Sequence, residues 1–203
     1  MPRISAGTIA EHKAQTRESL FDAARALITA QGYDSISHSD ITAYAGIART
    51  TFYDYFTSKD DLVAAFVEST LPEVINDLLG SIPDDATPLE KLAQLSRKTL
   101  EFMVDDPFLG LILHREMPKL SSDAQERISA AHSQLGMAFA TIYRAGIADG
   151  SMRAVPGRLG GRFMEDVIMA AAKELIATPE PEEAFSGIAE AMTGLLLGGI
   201  GSA

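Results

Sequence analysis

Cysteine is missing from the sequence, which excludes disulfides and thiolate metal sites and suits a reducing compartment. No run reaches the roughly 18 apolar residues that a membrane-spanning helix needs. The opening stretch MPRISAGTIAEHKAQTR also lacks an apolar core of signal-peptide length. These absences lead us to expect a soluble, cytoplasmic protein with no membrane partner. Sustained alternation of Val, Ile and Thr with polar residues is lacking too, so nothing argues for a sheet, and there is no internal repeat. An excess of basic charge is absent, since the formal net charge is -11.

That charge is unevenly placed. Residues 1–59 hold six bases (Arg3, Lys13, Arg17, Arg25, Arg49, Lys59) and six acids, whereas residues 60–203 hold 11 bases and 22 acids. A polyanion would be repelled by the larger part, so only the N-terminal part suits an approach to nucleic acid.

What is present is helical periodicity. Hydrophobic residues make up 46% of the 203 residues, enough for a packed core, and they recur at spacings of three and four. The pattern predicts an all-α chain. The first helix runs from about Glu11 to Ala30 with Leu20, Ala24, Leu27 and Ile28 on one face, and Gly32 stops it. A short second helix opens at Ser37, whose partner Asp40 completes a capping-box-like start, and ends at Gly46. A third begins near Arg49 and a fourth at Ser58, with Asp60 and Asp61 at the positive end of its dipole. Pro72 is expected to kink or divide that fourth helix. Further helices are predicted at about 88–104, 107–116, 122–148, 157–177 and 181–198, separated by segments rich in Pro, Gly and acids.

The stretch IARTTFYDYFTSKDDL concentrates the chemistry. Two short helices separated by AGI form a helix-turn-helix pattern, with Ala allowing close approach, Gly the turn and Ile a plug. Phe52 and Phe56, four apart, share a buried face, which leaves Arg49, Thr50 and Thr51 near an exposed helix start. Arg can grip guanine through two hydrogen bonds, and Thr offers a hydroxyl or a methyl to a base edge. Tyr53, Tyr55 and Lys59 suit phosphates, which fix position without reading sequence. Read singly, each residue also fits a helical core with a solvated rim.

Residues 32–62, GYDSISHSDITAYAGIARTTFYDYFTSKDDL, resemble the DNA-binding domain of the tetracycline-repressor (TetR) family of bacterial transcription regulators. The likeness spans roughly residues 10–62. It implies a DNA-binding domain at 1–57 and a larger helical effector-binding and dimerisation domain at 58–203. It also implies that Arg49, Thr50 and Thr51 face bases, that Tyr53, Tyr55 and Lys59 meet phosphates, and that Ser37, His38 and Ser39 approach the groove from the second helix. Ala48 stands where the family often has a serine cap, Thr50 where it often has glycine, and His38 where it often has an apolar residue. His38 itself permits two readings, a pH-sensitive DNA contact or a partly buried imidazole with a local hydrogen bond.

The resemblance further implies a homodimer, a double-stranded DNA operator and a small-molecule effector, with no cofactor. The helices GRFMEDVIMAAAKELI and FSGIAEAMTGLLLGGI are the expected dimer helices, with Ala170, Ala171, Ala172, Gly194, Gly198 and Gly199 permitting close approach. The candidate effector residues are Phe102, Met103, Phe108, Leu111, His114, Met117, Phe139, Tyr143, Met164 and Ile168. Six of eight methionines lie between 103 and 169, and methionine conforms to variable apolar ligands, although a Met and Phe stripe at helical spacing is equally a core. His114 and Arg115, beside Glu116, suit either a polar anchor or a surface ion-pair cluster.

Catalysis has little to stand on. His114, Glu116 and His132 lack the spacing that puts two imidazoles on one zinc, so no metal site is expected. GRLGGR at 157–162 lacks the spacing and ending of a phosphate loop, and no nucleophile sits in an elbow. The expected function is therefore a ligand-responsive transcriptional regulator, a repressor released by a small, largely apolar effector. The alternatives are a helical adaptor that binds protein through its N-terminal domain, or a small enzyme using His114 and Glu116.

Overall fold

The computed structural model describes residues 6–202, so Arg3 lies outside the described part. Nine α-helices are found among these residues, α1 (Ala6–Gln31), α2 (His38–Tyr44), α3 (Arg49–Phe52), α4 (Lys59–Gly80), α5 (Pro88–Asp105), α6 (Pro107–Leu111), α7 (Ser122–Ala148), α8 (Leu159–Ala177) and α9 (Pro181–Ile200). The only β pairing among them is an isolated bridge between Met152 and Gly201.

Local chemistry accounts for most boundaries. Gly32 ends α1 at φ +81, a conformation that costs glycine no Cβ clash. The α1 start, at Ala6, lies earlier than the expected Glu11, and Gly7 and Thr8 are taken into the helix. Ser37 and Asp40 form a reciprocal capping box at α2, and Thr87 and Glu90 form another at α5. Helix α4 runs through Pro72 as one helix, so the proline does not divide it. The predicted helix 107–116 is α6 followed by a π-helical turn at Ile112–Glu116 and a 3-10 turn at Met117–Lys119.

The chain divides into two compact units. The first comprises the described part of Met1–Thr70 with Phe108–Ser129, and the second comprises Leu71–Pro107 with the described part of Ala130–Ala203. Helices α4 and α7 each contribute residues to both. No helix among the described residues is long and apolar enough to cross a membrane.

In the first unit, Leu20, Ala24 and Ile28 of α1 are buried, as are Ile41, Phe52 and Phe56. Their rings form a chain, with Phe52 and Phe56 5.9 Å apart, Phe56 and Phe21 5.5 Å, Phe21 and Phe66 5.3 Å, and Phe66 and Phe108 5.2 Å. Edge-on and tilted rings at these distances gain quadrupole attraction beyond burial. Residues 108–129 are tied in by charge as well. Arg127 pairs with Asp61 at 2.8 Å and Glu68 at 2.6 Å, and Asp60 accepts from the Ser121 amide at 2.7 Å and from the Tyr33 hydroxyl. Glu116 is buried, with Arg115 at 2.8 Å and Lys119 at 2.7 Å, and Lys119 also reaches Asp34 at 2.8 Å.

Burial works to raise the Glu116 pKa, but hydrogen bonds from Lys119 and Arg115 outweigh it and hold the carboxyl below its ordinary range. A depressed folded-state pKa contributes stability above the unfolded value, and that contribution disappears as pH falls through the folded value. Glu116→Gln is therefore expected to lower stability at pH 7 by about 1–3 kcal/mol, a gap that denaturant titrations should find closing as pH falls below the ordinary carboxylate range.

In the second unit, α5, α7, α8 and α9 enclose a core containing Leu92, Leu95, Leu100, Met103, Phe139, Met164, Ile168, Leu175, Met192 and Leu196. Tyr143 fixes the chain after α7, its hydroxyl donating to the Arg153 carbonyl at 2.8 Å and accepting from the Val155 amide at 3.0 Å. A Cβ at Gly160 would lie 3.1 Å from that tyrosine ring, which explains why glycine stands where α8 begins.

Candidate nucleic-acid interface

The helix after the AGI turn is shorter than its sequence suggested. Regular α-helix covers Arg49–Phe52, after which the turn continues through bonds from the Asp54 amide to the Thr51 carbonyl (3.2 Å) and from the Phe56 amide to the Phe52 carbonyl (3.0 Å). Ala48 supplies no side-chain cap, and the β-branched Thr50 and Thr51 favour helix weakly, so nothing local extends it. Gly46, at φ +67, makes the preceding turn.

Behind this turn Phe52 (0% exposed) and Phe56 (4%) are sealed in the core, which fixes what points outward. Arg49, Thr50, Tyr53 and Asp54 are exposed, while Thr51 and Tyr55 are half-buried. Thr51 and Tyr55 line a broad open groove with His12, Lys13 and Arg17 of α1. Those three side chains share the groove with the α3 turn, and the sequence reading did not select them. Charge counted along α1 gives no signal for them, because Lys13, Arg17 and Arg25 are matched there by Glu11, Glu18 and Asp22. The groove also carries Glu11, Asp54, Asp61 and Glu68, the last two paired with Arg127.

On α2, Ser37 and Ser39 are exposed, although the Ser37 hydroxyl is engaged in its capping box, donating to Asp40 at 2.7 Å. His38 is half-buried and edge-on to Phe52 at 5.0 Å. Its Nε2 accepts the Lys59 amide at 3.0 Å, which satisfies one of the four orphan N–H groups that open α4. The geometry gives His38 a local hydrogen bond that ties α2 to the start of α4.

Lys59 departs from expectation. Its Nζ donates to the carbonyls of Tyr33 (2.6 Å) and Ile36 (2.8 Å) and lies 3.8 Å from the Tyr33 ring centroid. Burial pulls its ammonium below the ordinary lysine range, against the opposing pull of Asp60, Asp34 and Glu116. An inward cation of this kind fastens the first unit together instead of presenting itself to a phosphate.

The ten effector candidates do not form one set. Phe102, Met103, Phe139, Tyr143, Met164 and Ile168 belong to the second unit, whereas Phe108, Leu111, His114 and Met117 belong to the first. Phe108 is core, packed on Phe66, and Tyr143 is held by backbone. His114 is exposed, and its neighbours Arg115 and Glu116 form the ion pair described above. The second unit also bears a groove of about 370 Å³ lined by Leu79, Ile82, Asp84, Lys91, Gln134, Met137, Ala138, Thr141 and Ile142, none of them a sequence candidate. No group of acids and histidines suited to a metal ion occurs among the described residues.

Comparison with known proteins bears on both units. The profile described as bacterial regulatory proteins, tetR family, matches residues 20–66, and that of the tetracyclin repressor-like C-terminal domain matches 85–173. The chain belongs to the TetR family.

This TetR-family chain is 27% identical over 110 residues to the fatty acid metabolism regulator protein of Bacillus subtilis, covering 54% of the chain and 57% of the relative. It is 27% identical over 146 residues, 69% of each chain, to the transcriptional repressor KstR2 of Mycolicibacterium smegmatis. The chain spans about half the length of several of the curated relatives it matches. Among solved structures, the regulator FadR from Bacillus subtilis, in complex with stearoyl-CoA, superposes with a TM-score of 0.71 at 22% identity, covering 90% of this chain and 98% of FadR. That likeness establishes a shared fold.

Proposed function

We propose that this TetR-family protein is a ligand-responsive, DNA-binding transcriptional regulator, acting as a homodimeric repressor that a small, largely apolar effector releases from its operator. The observation that carries the reading is the split at the α3 turn, where two buried phenylalanines anchor the segment and Arg49 and Thr50 stand exposed. In this reading each subunit presents that turn to a major groove, with half-sites about 34 Å apart. Arg49, Thr50 and Thr51 take the base edges. Tyr53 and Tyr55, with His12, Lys13 and Arg17, meet phosphates, and Ser37 and Ser39 flank them. Lys59 and His38 act behind the surface by fixing the start of α4.

The dimer reading rests on α8 and α9. Ile176 is 62% exposed and Leu195 64%. Ala170 is exposed, and a Cβ at Gly194 or Gly198 would meet nothing within 4 Å. The other small residues are spoken for internally, because Ala171 and Ala172 are buried and a Cβ at Gly199 would strike the Phe163 ring. Two copies facing through this strip would bury it and give the pseudo-two-fold symmetry of an operator.

The relatives support an acyl effector. One is named for fatty acid metabolism and a neighbour holds stearoyl-CoA. A long-chain acyl-CoA suits the methionine-rich second unit, where Met103, Met152, Met164 and Met192 are buried together. Release needs only about 1–3 kcal/mol of coupling between effector and operator. The test is a gel shift with the DNA flanking the protein's own gene. The reading expects sequence-specific binding that stearoyl-CoA weakens about 5- to 150-fold. Binding without sequence preference would instead favour a protein-binding adaptor.

A further inference from the structure

Ser96 lies in the middle of α5 with 0% of its surface exposed, and its hydroxyl has no hydrogen-bond partner among the described residues. Buried helical hydroxyls usually bond a carbonyl one turn back, and the neighbouring Thr99 does so, donating to the Leu95 carbonyl at 2.8 Å. Thr193 on α9 does the same to Ala189 at 2.8 Å. Ser96 does not. An unsatisfied buried hydroxyl destabilises the fold, and native interiors contain few. Alanine at this place would remove that cost and favour the helix more strongly.

Helical spacing places Ser96 one turn from Leu92 and Leu100 and two turns from Met103. All three belong to the core that Phe139 of α7, Met164 and Ile168 of α8 and Met192 of α9 complete. Three of these residues are methionines, whose flexible thioethers repack around a guest more readily than branched side chains. Ser96 thus supplies an unpartnered hydroxyl on the buried face of α5, the helix that brings Met103 into this core. Such a site is matched by a long apolar chain that carries one oxygen acceptor.

We propose that Ser96 is the polar anchor of the effector site, donating its hydroxyl to the carbonyl oxygen of an acyl ligand whose chain lodges among Met103, Met164 and Met192. This rests on the reading that the second unit binds an apolar effector, and it names the atom that distinguishes an acyl compound from a hydrocarbon.

Calorimetric binding of 2-tridecanone and of tridecane isolates the carbonyl from the chain. Wild type is expected to prefer the ketone by about 2- to 10-fold, the worth of one net hydrogen bond. Ser96→Ala should bind the two equally, keep the wild-type affinity for tridecane, and melt at the same or a higher temperature. The proposal is overturned if Ser96→Ala keeps the preference, if it melts lower than wild type, or if wild type shows no preference or binds neither compound. Failure of the acyl-CoA reading is separable from these outcomes. In that case the ketone preference depends on Ser96 while stearoyl-CoA leaves operator binding unchanged.

Discussion

Leu195→Arg is expected to yield a folded monomer with about 10²- to 10⁴-fold weaker operator binding. Leu195 is 64% exposed in the single chain, so an arginine there costs the isolated fold little. In a dimer packed through α8 and α9 the same arginine would be buried beside Gly194 and Gly198, without a partner for its charge. The loss on DNA comes from avidity, because the second reading head of a dimer binds at an effective concentration set by the first. Sedimentation and gel shift at matched concentrations check both halves of the expectation. A dimeric Leu195→Arg protein with normal operator affinity would remove the α8 and α9 strip from the account.

Phe52→Ala should cost about 3–5 kcal/mol in the first unit. Phe52 is fully buried and sits within ring contact of His38, Tyr53 and Phe56. A loss of that size is a large share of the roughly 5–15 kcal/mol that holds a domain together. The variant should lose specific and nonspecific DNA binding together, because the platform beneath the proposed DNA-facing residues is gone. Thermal unfolding followed by hydrogen exchange should find early exchange in residues 20–56, with the α5, α8 and α9 core still protected. Intact DNA binding by Phe52→Ala would mean that the aromatic platform does not position the reading residues.

Much of this was legible in the chain because the signals are local. Gly32, Gly46, Ser37 with Asp40 and the proline-rich breaks set helix limits within a few residues, and Phe52 with Phe56 declared their buried face. What escaped depends on contacts distant in sequence. Lys59 looked like a phosphate ligand until carbonyls more than 20 residues away claimed its ammonium. Phe108 read as effector lining, yet its ring completes an aromatic chain begun at Phe21 on α1. The place of residues 108–129 in the first unit was hidden for the same reason, since Arg127 reaches back to Asp61 and Glu68. Ser96 carried no motif at all. Its absent partner becomes visible only when the surrounding helices are in place.

The role proposed for the α3 turn is to read bases. Selection of binding sites from random duplex DNA by wild type and Arg49→Ala tests it most directly. The wild-type motif is expected to be two-fold symmetric, with half-sites about one helical turn apart. Arg49→Ala is expected to relax the preference at one symmetric pair of positions by about 1–3 kcal/mol and to leave the rest of the motif in place. An unchanged motif, or a uniform loss of affinity with specificity intact, would contradict it.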